Sequence, residues 1–348
     1  MPGNLVLITG VTGHLGFPIL TQALDAGYHV RAAVRSEAKA QSLLEAAPLK
    51  ARQTGSRLTF AIVPDLTAPG AYDEAVNHVQ YIIHVASPIP SPDLTVDQFQ
   101  TGLIDPAVKG TLEILESARK ASSIRRVVIT SSIAAILPFK NLVGGGDTVY
   151  TAEDRISTPD IAGVLNTFQA YAASKAKAFN EAEAWVSRER PTFDVIHVHP
   201  SFVMGRDELQ TSRQRLRSNG TNQYIVRAAV GEVSVDAVPG TTVHVDDVAR
   251  VHVGALSSRI IGNTSYIVTS NPPGLFHGND YGEVGAVVAK YFPDALATGA
   301  LSATGKQPHT VLRIDATKTE KDLGFTHLAF EDQIKDVISQ YLELDAES

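Results

Sequence analysis

Tyr171 and Lys175 stand four residues apart in an alanine-, glutamate- and lysine-rich stretch from Ala170 to Arg188 with helical patterning, so one lies above the other on a single face. A phenol at its ordinary pKa near 10 exchanges protons sluggishly at neutral pH, and a cation one turn away favours its ionised form. Lowering that pKa by roughly 3 units requires about 4 kcal/mol, within reach of two nearby charges in a dry site. The spacing carries little weight alone, because it arises by chance about 0.3 times in a chain of this composition. Three glycines, Gly10, Gly13 and Gly16, form a second set. They suit a tight turn in which the backbone closes on a pyrophosphate and a helix N-terminus presents its N–H groups to the phosphates. A third set is Thr130-Ser131-Ser132, whose hydroxyls could hold an oxygen that gains negative charge, or merely cap a helix.

The elements needed to bring these sets together are legible in the hydrophobic pattern. Apolar Leu5 to Ile8 reads as a buried parallel strand, and amphipathic Phe17 to Ala26 as the helix after the glycine loop. Further strands are predicted at His29 to Val34, Leu58 to Val63, Tyr81 to Ala86, Arg126 to Ile129, Thr192 to His199 and Thr264 to Thr269. Pro106 opens a helix whose Val108, Leu112 and Leu115 are spaced to face a sheet. The proline-rich run Ser87 to Pro92 ends the fourth strand, Ile133 to Asn166 reads as a long loose loop, and Arg206 to Asn222 as a mobile polar loop over the site. His84 and His199 read as structural strand histidines, and Asp246 and Asp247 as helix-capping residues after the short strand at Val243. Asp315 caps one C-terminal helix, and Leu328 to Leu344 holds another. The predicted fold class is α/β: a Rossmann-type doubly wound parallel sheet over residues 1–200, to which 241–270 return, with a smaller interleaved substrate-binding part from 201–240 and 271–348.

Arg35 follows the second strand where an NAD site tends to carry an acid, with Lys39 one turn on. Two cations there suit the 2′-phosphate of NADP, although solvated surface cations are also common at helix ends. Asp65 closes the third strand, where an adenine could lie, or serves as a turn residue. The formal charge of −7 and the lack of a long basic run argue against a nucleic-acid partner, and 0 cysteines exclude thiol nucleophiles and thiolate metal sites. No metal site is expected. No apolar stretch approaches the roughly 20 residues needed to cross a bilayer, and Met1-Pro2-Gly3-Asn4 leads straight into the first strand, so a cytoplasmic protein without a membrane partner is expected.

Together, Ile8 to Gly16, Val30 to Ser36 with Lys39, Pro106 to Leu112, Thr130 to Ser132, Tyr171-Ala172-Ala173-Ser174-Lys175 and Val243 to Ala249 resemble the extended short-chain dehydrogenases/reductases over nearly the whole chain. The resemblance is greatest to the branch of dihydroflavonol reductases, cinnamoyl-CoA reductases and fungal NADPH-dependent aldehyde and ketone reductases. It implies reversible reduction of a small-molecule carbonyl with NADP(H), Tyr171 donating the proton, Lys175 orienting the nicotinamide ribose and Ser132, or Ser131 after a one-residue slip, holding the carbonyl oxygen. It also implies cofactor contacts from Gly10, Thr12, Gly13, His14, Leu15, Gly16, Arg35, Lys39, Asp65, Leu66, Ala86, Ser87, Pro200 and Phe202. Ala107 stands where many members carry an asparagine in a proton relay. Ile133, Phe139, Phe168 and Phe202, if they reach the pocket, suit a hydrophobic or aromatic substrate. A homodimer is compatible with the resemblance. Two other readings remain open: an NAD-dependent nucleotide-sugar epimerase or dehydratase, and a non-catalytic NADP-sensing regulator.

Overall fold

The computed structural model describes residues 3–90, 93–158, 163–272 and 274–344. Within these, strands β1 (Leu5–Thr9), β2 (His29–Val34), β3 (Leu58–Ile62), β4 (Tyr81–His84), β5 (Arg126–Thr130), β6 (Asp194–Pro200) and β7 (Thr264–Val268) form one sheet in the order β7-β6-β5-β4-β1-β2-β3. Every pairing from β3 through to β6 is parallel. The order reverses between β1 and β4, where an open α/β sheet leaves a crevice at its carboxyl edge. Helices α1 (Gly16–Asp25), α2 (Glu37–Leu44), α3 (Asp105–Lys120) and α4 (Thr167–Glu189) make the crossovers. The sequence-predicted strands therefore form the expected sheet.

Chain contacts divide the molecule into two units, one of 1–139, 152–199 and 249–266, the other of 140–151, 200–248 and 267–348. Residues 140–151 fall in the second unit although they lie inside the 1–200 stretch. The first unit packs Leu7, Ile82, Val127, Ile114, Leu115 and Trp185 into one core, with the Trp185 indole N–H donating to Glu116 at 2.7 Å. The second is built on the helix Phe330–Glu343, whose Ile334, Val337 and Ile338 pack among Ile225, Val226, Tyr281 and Val288. Asp315 accepts from Thr317 N at 2.8 Å at the start of Thr317–Leu323, and Asp247 accepts from Leu328 N at 2.6 Å.

Three local expectations are corrected. In α3 Leu115 is buried and Leu112 packs against the core as expected, but Val108 is only half-buried and the buried stripe also takes in Ala107, Thr111, Ile114 and Ala118, because small residues let the helix sit close to its neighbours. Residues 133–166 are not structureless: they hold a helical turn at Ile133–Ala135, a helix at Phe139–Gly144 and a strand at Val149–Tyr150 paired with Arg313–Ile314. Arg206 to Asn222 is pinned rather than loose. Arg206 grips Glu343 with both guanidinium arms, its backbone N–H donates to Asp336, and a helix spans Arg213–Ser218. Met1-Pro2, Ser91-Pro92 of the proline-rich run and residues 159–162 of the long loop lie outside the described residues.

Candidate active site

The glycine loop shows why its residues are glycines. Gly10 has φ +74°, and a Cβ there would meet Ala86 N at 2.7 Å; a Cβ on Gly16 would meet Gly10 O at 2.0 Å. Gly13 differs, for a Cβ there would touch nothing of the protein nearer than 3.5 Å. Its missing side chain thus leaves the space that a ligand's phosphates would take. Thr12 is exposed, His14 and Leu15 are half-buried, and no side chain caps α1 at Leu15, so the helix start is left to an anion. These features fit a dinucleotide's pyrophosphate. Arg35 and Lys39 are exposed around the start of α2, which Ser36 caps by accepting from Lys39 N, and among the described residues neither cation has an ion-pair partner.

Asp65 behaves as the turn residue it could have been. It accepts from Thr67 N at 2.8 Å and Thr67 Oγ1 at 2.7 Å, bonds that hold its carboxyl below the usual aspartate value. Leu66 lies so close to Gly110 that a Cβ there would meet its Cδ1 at 2.1 Å, which assigns it a packing role. Ala86 is positioned by β1: Thr9 Oγ1 accepts from Val85 N and Ala86 N at 3.0 Å each and bonds His84 Nδ1 at 3.0 Å.

On α4, capped by Asn166 accepting from Gln169 N, Tyr171 and Lys175 share a face as expected. The Tyr171 phenol is hydrogen-bonded to the Ser132 hydroxyl, whose oxygen also accepts from Ala134 N at 3.2 Å. Ser132 thus caps a turn and also faces the phenol. Ser131 lines a separate recess with Lys175, and its N–H donates to Val198 O at 2.7 Å. The lysine Nζ donates to Ser87 Oγ at 3.2 Å and stands 5.8 Å from the Tyr171 ring centre.

The electrostatics differ from expectation. Burial raises the Tyr171 phenol and the Ser132 bond lowers it by less, while burial brings the Lys175 ammonium down to about 8. Desolvation outweighs the Ser132 bond, and the phenol is the protonated form at neutral pH.

Phe168 stacks on Tyr171 at 6.5 Å between centres, Phe139 meets Phe168 edge-on at 5.6 Å, and both phenylalanines are half-exposed. Ile133 is only 2% exposed and offers little surface. Pro200, the last residue of β6, and Phe202, which tilts against Tyr224 at 6.3 Å, belong to the second unit. His84 and His199 are buried as foreseen. Sequence reasoning missed His197, Thr9 and Thr111, whose signal was a polar residue inside an otherwise apolar strand or helix face. No metal-binding cluster occurs, and no helix is long and apolar enough to cross a membrane, among the described residues.

A model of the NAD dependent epimerase/dehydratase family matches residues 6–268. The chain belongs to this family. Ketoreductase CTB6 of Cercospora nicotianae is 41% identical over 99% of this chain and 96% of its own length. The NAD-dependent epimerase/dehydratase ALT6 of Alternaria alternata is 39% identical over 73% of each chain. Among solved structures, Gre2 from Candida albicans in complex with NADPH superposes with a TM-score of 0.79 at 26% identity, covering 98% of this chain and 99% of that one. The resemblance to extended short-chain dehydrogenases/reductases is thereby shown.

Proposed function

We propose that this chain is a carbonyl reductase that converts hydrophobic, ring-bearing aldehydes or ketones to alcohols, with Tyr171 as the proton donor. It is an NADP-dependent oxidoreductase. One observation carries the finer reading: a protonated phenol bonded to Ser132, with Lys175 one turn on and the half-exposed rings of Phe139 and Phe168 alongside. The names ketoreductase and NADPH among its relatives support it.

NADPH supplies the hydride when bound, and the open face at Gly13, the uncapped start of α1 and the exposed Arg35 and Lys39 are the groups that would hold it. The protein must then protonate the oxygen that gains charge. Ser132 donates a hydrogen bond to that oxygen, and Tyr171 hands over its proton. The resulting phenolate is held by the Ser132 hydroxyl and the Lys175 ammonium. Phe139 and Phe168 give a planar substrate apolar surface beside the reacting oxygen.

NADPH oxidation across a panel of aldehydes, α-ketoesters and aryl ketones, with NADH and Tyr171→Phe in parallel, tests this. Turnover with NADPH well above NADH, greatest on ring-bearing substrates and lost in the variant, is expected. Turnover of nucleotide sugars with NAD instead would favour the epimerase reading, and tight NADPH binding without turnover the sensor reading.

A further inference from the structure

Two kinds of bond hold Ser132. Within its own turn, the hydroxyl accepts from Ala134 N at 3.2 Å and the carbonyl oxygen from Ala135 N at 2.9 Å. Those bonds join chain neighbours, so they shape the turn but let it move as one body. Its orientation to the sheet comes from β6: Val198 O accepts from Ser131 N at 2.7 Å, and His199 Nδ1 lies 3.2 Å from the Ser132 carbonyl oxygen. A carbonyl can only accept, so Nδ1 carries the proton and donates. One bond leaves the turn free to pivot about it, and the second removes that freedom. His199 is fully buried, burial keeps its ring neutral, and its Nε2 has no hydrogen-bond partner among the described residues. A buried ring nitrogen left unpaired is costly, and the bond to Ser132 is what the imidazole supplies in return.

The same imidazole touches α4. It meets the Phe179 ring nearly at right angles, with 4.8 Å between centres and 84° between planes. Tyr171, Lys175 and Phe179 follow one another at four-residue steps, so they lie along one side of the helix. His199 therefore stands between the turn that carries Ser132 and the helix that carries Tyr171, whose side chains are hydrogen-bonded to each other. We propose that His199 is a positioning residue: its Nδ1–H holds the Ser132 carbonyl while its ring, seated on Phe179, sets the spacing that lets the Ser132 and Tyr171 hydroxyls converge on one substrate oxygen. An apolar ring at this position would pack on Phe179 equally well. It would leave the Ser132 turn anchored to β6 through the Ser131 N–H bond alone, and a donor displaced from the reacting oxygen stabilises its charge less.

This role for His199 rests on the assignment of Ser132 and Tyr171 under the reductase reading. Imidazole nitrogen NMR of the unaltered chain at neutral pH reads the tautomer, with the His199 ring identified by its absence from His199→Asn. A proton on Nδ1 is expected, and a proton on Nε2 overturns the proposal. His199→Phe keeps a ring against Phe179 but removes the donor, and kcat should fall about tenfold with the KM for NADPH within about twofold. His199→Asn returns an N–H to the Nδ1 position and should recover kcat to within about threefold of the unaltered chain. A residue that acts through Ser132 loses its effect once that hydroxyl is gone, so His199→Phe added to Ser132→Ala should cost less than about twofold more. A folded His199→Phe chain with full kcat, an equal loss in His199→Asn, or a further loss of about tenfold on Ser132→Ala overturns the proposal. Should His199→Phe fail to fold, His199→Gln, whose amide reaches towards the Nε2 position instead, takes its place. A chain that reduces no carbonyl would fault the reductase reading alone. The crystal structure of the variant then decides: a broken Ser132–Tyr171 hydrogen bond supports the proposal, and an unmoved one overturns it.

Discussion

At the scale of single residues, the site is a contest between desolvation and hydrogen bonding. Tyr171 is kept protonated by burial, which suits a donor and makes it replaceable by nothing that lacks an acidic proton. Tyr171→Phe is expected to lower kcat by about a hundredfold or more, the usual range for loss of a general acid, while leaving NADPH binding within about twofold. A variant that keeps more than a tenth of the turnover would remove Tyr171 from its role. The two exposed cations at α2 make a separate prediction. Charged hydrogen bonds of about 1.5–3 kcal/mol to a 2′-phosphate would vanish in Arg35→Ala, raising the KM for NADPH about tenfold or more with that for NADH unchanged. Equal effects on both cofactors would return Arg35 to the solvated surface.

At the scale of elements, the sheet's edge is fixed by an ion pair between a buried arginine and a half-buried aspartate that the apolar pattern of β5 does not advertise. The Arg126 guanidinium donates to both carboxylate oxygens of Asp194 and to the carbonyls of Ala255, Ser257 and Ile260, tying the starts of β5 and β6 to the segment before β7. Gly262 lies against the same aspartate, since a Cβ there would meet Asp194 Cγ at 2.1 Å. Removing the guanidinium leaves the carbonyls of Ala255, Ser257 and Ile260 without their donor and the half-buried Asp194 without its partner, so Arg126→Ala should cost about 2–3 kcal/mol in urea unfolding without altering KM. A loss below about 1 kcal/mol would mean that water reaches the pair and screens it. The same element scale explains how the stripe on α3 widens. Periodicity marked Val108, Leu112 and Leu115 as one face; Leu115 is buried and Leu112 packs against the core, and tight helix packing buries the smaller Ala107, Thr111 and Ala118 beside them while Val108 stays half-buried.

At the scale of the whole molecule, pH links the site to stability. His84, His197 and His199 are buried and neutral, with folded pKa values well below the 6.5 of a free histidine. Below 6.5 the unfolded chain binds protons that the folded chain refuses, so stability is complete above that value and falls as pH drops towards 3. The slope is about 1.4 kcal/mol per pH unit for each histidine. Urea midpoints should therefore decline steeply from about pH 7 to about pH 5, before most carboxylates titrate. A flat profile over that window would show that the three rings are hydrated or charged in the native state.

The sequence by itself determined the strands, the glycine turn and the four-residue spacing on α4, because each depends on local periodicity or on a conformation that only certain residues adopt. Gly10, Gly16, Tyr171 and Lys175 could be named for that reason, and the family follows from their order. What a polar residue meets across the sheet is not local. Only the tertiary structure decided that Asp65 closes its own turn, that Arg206 is held by Glu343 and Asp336, and that burial outweighs the Ser132 bond at the Tyr171 phenol. It also brought His84 of β4, Lys175 of α4 and His197 of β6 around one small recess. Desolvation and hydrogen bonding act between segments far apart in the chain, and no spacing along the sequence encodes them.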